Sequence, residues 1–331
     1  MRTATCASVP RPTGDATSAI QTALNGCAGK NQVVALAAGT YSTSATLTVP
    51  SGVVLRGAGS DAASGTTILL TNNAGPLGEP VLAIGTLMDT VCYDSIFDHA
   101  AQPLLSQDAL KETSTAPVAS AAGFKAGDLA LIDQADDGEV DEGDCTGSFK
   151  RTANYGVGER IEIAAVDVPN KRLTLTTPLH WTFKQAQSAR ISRMGTEATK
   201  WAGIESLLVQ GGRPGSWAGK NGGGIDISNA AYCWVKNVQV DGTTSGMPIR
   251  LAGTYRCVIR DSHIHNSYNY GFYQDNYGIV LACGAADNLV ENNIVRFLNK
   301  PILLNASGGG SGRPSLSSGS RRERTAGSST A

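Results

Sequence analysis

The chain has 331 residues, a net charge of −1, 41% hydrophobic but only 6% aromatic residues, and 39 glycines. So balanced a charge lacks the basic face of a nucleic-acid binder, and no apolar run approaches the roughly 18 residues that span a bilayer. Neither a nucleic-acid nor a membrane partner is therefore expected, and the composition suits a turn-rich all-β protein.

Met1 to Arg11 contains no apolar h-region, so no signal peptide is read there. Thr13 to Leu24 reads as a short amphipathic helix behind an Asp15 or Thr17 cap, with Ile20 and Leu24 one turn apart. Residues 1–30 are expected to cap the end of a coil of strands, whose apolar core and open edges need covering. Short strands follow at 33–36, 39–41, 47–50, 53–57, 66–70 and 81–84, separated by turns.

Between about 110 and 194 this rhythm is lost. Leu129 to Ile132, Arg160 to Ile163 and Leu173 to Leu175, with a hairpin at Pro169-Asn170, predict a small inserted module of antiparallel strands. Asp133 to Asp144 holds seven carboxylates in twelve residues. Calcium takes such oxygens, but the spacing does not match an EF-hand loop. A solvated acidic loop is expected instead, and the sequence offers no clear metal site.

From Gly203 onward a pattern returns out of phase with any helix. Ile204, Val235, Ile259 and Val290 recur at 31, 24 and 31 residues; Ile225, Ile249, Ile279 and Ile302 interleave at 24, 30 and 23. A repeat of this length signals stacked units, and short strands with no helix between them predict a parallel β-helix, one rung per repeat. Side chains alternate across a strand, so Ile227, Leu251, Leu281 and Leu304 form a second inward column. Asp226, Arg250, Val280 and Leu303 must then face outward, with Asp226 and Arg250 about 4.8 Å apart on adjacent rungs. Ser206, Asn237, Asp261 and Asn292 fall at sharp turns and read as a structural polar ladder. Cys233 and Cys257 read as a buried thiol stack.

The coil is expected to run over 31–306. Beyond Ala306 the repeat stops in a Gly/Ser/Arg-rich stretch, and residues 307–331 are expected to be disordered. Truncation or a shifted reading frame would produce such a break, which leaves the last rung without a cap. Seven cysteines without a C-x-x-C spacing argue against structural zinc; a Cys6–Cys27 pair would favour an exported protein.

Gly14-Asp15-Ala16-Thr17, Val33-Val34-Ala35-Leu36 with Gly39-Thr40-Tyr41, Leu55-Arg56-Gly57-Ala58-Gly59 and Val290-Glu291-Asn292-Asn293-Ile294 resemble the cap and rungs of the pectate-lyase-like right-handed β-helix superfamily. The resemblance covers roughly residues 13–105 and 200–306. It implies a secreted or surface protein with a groove along one sheet for a linear sugar chain. Members include polysaccharide lyases, glycoside hydrolases, epimerases, phage tailspikes and adhesins. The Asn-Thr-Asp and Gly-His-Gly motifs of polygalacturonases are absent.

The expected groove is the strip bearing Asp226 and Arg250. A lyase acting on a uronic acid must neutralise the sugar carboxylate and remove the proton beside it; Arg250, Asp226 and His263 are the catalytic candidates, with His265 following at a turn. Sugar contacts are expected from Trp217, Lys220 and Asn221 in one loop and from Tyr270, Tyr273, Asp275 and Tyr277 in the next, because aromatic faces pack on sugar rings while amides bond hydroxyls. Hydrolysis would need two carboxylates about 5 to 9.5 Å apart, and only Asp275 offers Asp226 a partner. The sequence thus points to a polysaccharide lyase acting as a monomer, with a glycoside hydrolase or a purely binding β-helix as alternatives.

Overall fold

Ile204, Val235, Ile259 and Val290 stand in register in one parallel sheet and are fully buried, so the sequence repeat is the rung of a coil. The computed structural model describes residues 2–71, 80–87, 103–135, 157–193, 197–211, 223–242, 247–267, 277–304 and 321–322. Among these, three parallel sheets form an all-β parallel β-helix.

The first sheet stacks Thr5–Val9, Gln32–Leu36, Val53–Arg56, Gly203–Glu205, Trp234–Lys236, Val258–Arg260 and Leu289–Glu291. The second stacks Gly39–Thr43, Thr66–Leu70, Leu208–Gly211, Gln239–Asp241, His263–His265, Ile294–Arg296 and Arg321–Arg322. In the third lie Leu47–Val49, Pro80–Gly85, Gly223–Ser228, Ile249–Ala252, Tyr277–Ala282 and Lys300–Leu304. Inward side chains of all three form one continuous core, in which each fully buried Val, Leu or Ile contributes about 1.5–3 kcal/mol. The turn ladder holds Ser206, Asn237, Asp261 and Asn292 at φ of 50–54°; Asn237 Nδ2 donates to Ser206 Oγ and Asn292 Nδ2 to Asp261 Oδ1. Cys233 and Cys257 are buried free thiols.

The helix Thr17–Gly26 covers the N-terminal end, placing Ile20 and Leu24 in the coil core. Ala16 occupies its cap position, and Asp15 supplies the acceptor: Thr17 N–H donates to Asp15 Oδ1 at 2.9 Å. Hydrogen bonds from Ser44 and Thr17 hold the Asp15 carboxyl down to about 2. A Cys6–Cys27 disulfide ties the first strand to the end of this helix, and Cys283 is disulfide-bonded as well.

The inserted module is a five-stranded antiparallel sheet built from Thr115–Pro117, Leu129–Gln134, Val157–Asp167, Arg172–Leu175 and Arg190–Arg193. It has its own core, including Ile132, Ile163, Leu173, Phe183 and Ile191. Because Val54 pairs directly with Gly203, the chain leaves the coil and returns without opening it. The module docks on a turn column, Trp201, Tyr232, Arg256 and Asp287, whose φ values are 60, 57, 52 and 55°. Arg160 Nη2 donates to Gly253 O at 2.9 Å, and Tyr255 Oη meets Thr176 Oγ1 at 2.8 Å and Thr177 Oγ1 at 2.9 Å. Tyr232 donates its hydroxyl to Glu162. His180 bridges Glu159 (3.0 Å) and Asp287 (3.2 Å), and these two carboxylates raise its pKa to about 10.

Two expectations need correction. Asp133, counted with the solvated acidic loop, is a fully buried strand residue paired with Arg190 at 2.9 Å, because its strand lies between two others in the module sheet; residues 136–144 lie outside the described residues. Within the expected disordered tail, Arg321 and Arg322 pair in parallel with Ile294 and Val295, since the open edge of the last rung accepts another strand. The rest of that tail lies outside the described residues.

Candidate functional site

The outward strip of the third sheet has the predicted register but is not an open groove. Asp226 pairs with Arg250, whose Nε donates to Asp226 Oδ2 at 2.5 Å. Asp226 also accepts from Ser228 Oγ. The side chains of the pair are only 9% and 11% exposed, so the two charges are spent on each other away from water. One rung further, Val280 is fully buried in an apolar cluster with Ala252, Ala282 and Cys283, against which Tyr277 and Leu303 pack. Lys300 Nζ lies 4.9 Å from the Tyr277 ring centre, engaging that aromatic face. Trp217, Lys220, Asn221, Tyr270, Tyr273 and Asp275 lie outside the described residues.

The polar side chains that the fold gathers on its surface stand instead on the second sheet. Five residues after each inward member of the first column comes another: Val209, Val240, Ile264 and Val295, all in the core. Alternation then turns their neighbours outward. Gln210, Asp241, His265 and Arg296 form one row across four rungs; Gln239, His263 and Ile294 stand in the row beside it. At about 4.8 Å per rung the row is about 14 Å long.

Within it the hydrogen bonds fix the tautomers. Arg296 Nε donates to His263 Nε2 at 3.0 Å, so that nitrogen carries no proton. Gln239 lies 2.9 Å from His265 Nε2, and its amide donates there, leaving the His265 proton on Nδ1. The two imidazoles stack with centres 3.8 Å apart. Burial, then the neighbouring His265 and Arg296 charge, lowers the His263 pKa to about 4; burial also lowers that of His265, against the pull of Asp241. Both rings are neutral at pH 7.

His265 differs from expectation: it is the last residue of the strand His263–His265, not a turn residue, and is 5% exposed. Among the described residues no hydrogen bond of normal geometry reaches its Nδ1, and Asp241 Oδ1 at 3.4 Å acts on it as a charge. Asn266 and Gln210 steady Asp241 from either side. No group of three or more His, Cys, Asp or Glu side chains suited to a metal occurs among the described residues.

Of the predicted catalytic residues, the fold thus brings Asp226 and Arg250 together and sets His263 on a different sheet. Arg296, Gln239 and Asp241 were not singled out in the sequence. The signal that would have found them is the third column, Val209 to Val295, whose flanking positions are mostly polar.

No protein-family model and no curated protein matches the chain. Among solved structures it is similar to the tailspike gp61 of Pseudomonas phage phi297, at 14% identity over 89% of this chain and 41% of that one, with a TM-score of 0.57. It is also similar to the tailspike gp49 of Pseudomonas phage LKA1, at 19% identity over 89% and 43%, with a TM-score of 0.54. The chain spans about two fifths of the length of these tailspikes. At such identities the likeness is one of fold, and the fold is the parallel β-helix.

Proposed function

We propose that this protein is a carbohydrate-active β-helix that cleaves a linear acidic polysaccharide by β-elimination at a uronic acid, and that the reaction takes place on the outward face of the second sheet. The observation that carries the reading is the contact between neutral His263 and Arg296, 3.0 Å apart on a half-buried polar row. A uronate carboxylate competes for the Arg296 guanidinium, which neutralises it and makes the adjacent C5 proton removable. As Arg296 turns to the substrate, His263 Nε2 is freed to take that proton. The C4–O4 bond then breaks, a C4=C5 double bond forms, and O4 leaves with a proton from solvent. Gln239 and Asp241 are suited to hold sugar hydroxyls along the row.

In this reading Arg250 and Asp226 are a structural ion pair, and catalysis moves from Arg250 to Arg296. Hydrolysis is the alternative: among the described residues of the two rows Asp241 is the sole carboxylate, whereas a glycosidase needs two. Export is supported by the disulfides, which persist in oxidising compartments. The test is a panel of polyuronates scored for the ultraviolet absorbance of the unsaturated product. Absorbance that disappears in Arg296→Ala supports the lyase; new reducing ends without absorbance would make the protein a hydrolase, and binding without either would make it a binding module.

A further inference from the structure

The second-sheet row holds one charge that has no part in the proton transfer itself. Asp241 ends the strand Gln239–Asp241 and pairs in register with His265 on the next rung. Asn266 Nδ2 donates to its Oδ1 at 3.0 Å, and Gln210 Nε2 lies 3.4 Å from its Oδ2, so the carboxylate is held from two sides. With Gln239 on Nε2, His265 turns its Nδ1–H toward that carboxylate across 3.4 Å. A contact of this length is one that tightens when charge develops beside it. His265 in turn stacks on His263, with ring centres 3.8 Å apart and planes 25° apart. One strand thus carries two imidazoles face to face, with a fixed carboxylate beside the buried ring and Arg296 on the half-buried one.

Proton abstraction puts a full positive charge on His263: the Nε2–H bond forms as the C5–H bond breaks, and the charge leaves when the proton passes to water. Among the described residues, the charged groups acting on His263 from the neighbouring strands are Arg296 and Asp241, and His265 is the titratable group on its own strand. Once a uronate carboxylate has engaged Arg296, Asp241 is the opposite charge left to meet the imidazolium. The ring between them carries that effect, because an aromatic face attracts a cation and a carboxylate on its N–H polarises it further.

We propose that Asp241 is a positioning residue for the elimination, acting through His265 to stabilise the imidazolium that His263 becomes. The inference rests on the proposed function for the proton that His263 takes. Asp241 pulls both imidazoles upward in pKa against the burial that lowers them. Its loss therefore makes His263 a weaker base, and a weaker base removes the proton more slowly.

The test compares the native full chain with Asp241→Asn and Asp241→Glu by two readouts. Imidazole NMR follows the titration of His263 and His265 without substrate, and kcat/KM on a cleaved polyuronate is measured across the acid range. The Asp241 side chain is 26% exposed and Asn has nearly its shape, so the fold is expected to survive, with the melting temperature as control. In Asp241→Asn the His263 midpoint should drop by about one pH unit and the acid limb of kcat/KM should move down with it. The rate at pH 7 should fall by about three- to tenfold. Asp241→Glu keeps the charge and should return the midpoint and most of the rate. A structural role, or a lost contact to a sugar hydroxyl, would lower the melting temperature or the rate and leave the His263 midpoint in place. An unmoved midpoint and acid limb in Asp241→Asn would therefore overturn the positioning role while leaving elimination on the second sheet standing. Moved midpoints in a protein that releases no unsaturated product from any polyuronate would overturn the elimination and this role together, leaving Asp241 as a charge that tunes two imidazoles.

Discussion

Arg250→Ala separates a structural pair from a catalytic one. In the native coil the Arg250 and Asp226 side chains are 11% and 9% exposed, and Ser228 is the other side chain seen donating to the carboxylate. Removing the guanidinium strands a buried carboxylate, a loss that typically costs about 3–5 kcal/mol. For a chain longer than 250 residues, a melting shift of roughly 2 °C per kcal/mol translates this into about 6–10 °C. Scanning calorimetry should show that drop, and Asp226→Asn added to Arg250→Ala should recover more than half of it, because the stranded charge is gone. Polyuronate cleavage measured well below the melting transition should survive in the double variant. A melt unchanged within about 1 °C, together with abolished cleavage, would refute the reasoning and make Arg250 a group that meets the substrate.

Three further outcomes follow from the same geometry. His263, with its pKa lowered to about 4, must be neutral to act as base, so kcat/KM should hold from pH 7 down to about 5 and fall as pH drops through about 4; a fall centred near 6.5 would show an unperturbed imidazole. His180 has a folded pKa raised to about 10, so its contribution to module docking is fully present below pH 6.5 and is lost as pH rises through about 10. Limited proteolysis of the module should accelerate over that alkaline window in the native protein and show a weaker pH dependence in His180→Asn. Replacing Cys6 and Cys27 by serine frees a link across 21 residues of sequence and should lower stability by about 3 kcal/mol in denaturant unfolding.

The coil was legible because its physics is periodic: inward Ile, Leu and Val must recur once per rung, and turn residues such as Asn237 and Asn292 must tolerate a left-handed backbone. The contact of Asp226 with Arg250 followed from the same register. What the register could not reveal was burial from outside the coil. Asp226 and Val280 face away from the core yet are shielded from water, so an outward position was mistaken for an open one. His263 was noticed by residue type, but its partner Arg296 lies 33 residues on, in a column whose inward members are spaced like the two already found. The docking of the module through His180, Glu159 and Asp287 joins segments with no sequence periodicity, so alternation gives no handle on it.

The most direct test of the central claim follows the ultraviolet absorbance of a polyuronate panel with the native protein, Arg296→Ala and His263→Ala side by side. Elimination on the second sheet predicts unsaturated product from at least one polymer, reduced by about 10²–10⁴-fold in His263→Ala and lost in Arg296→Ala, with both variants melting close to the native protein. Unsaturated product formed at the native rate by both variants would contradict it.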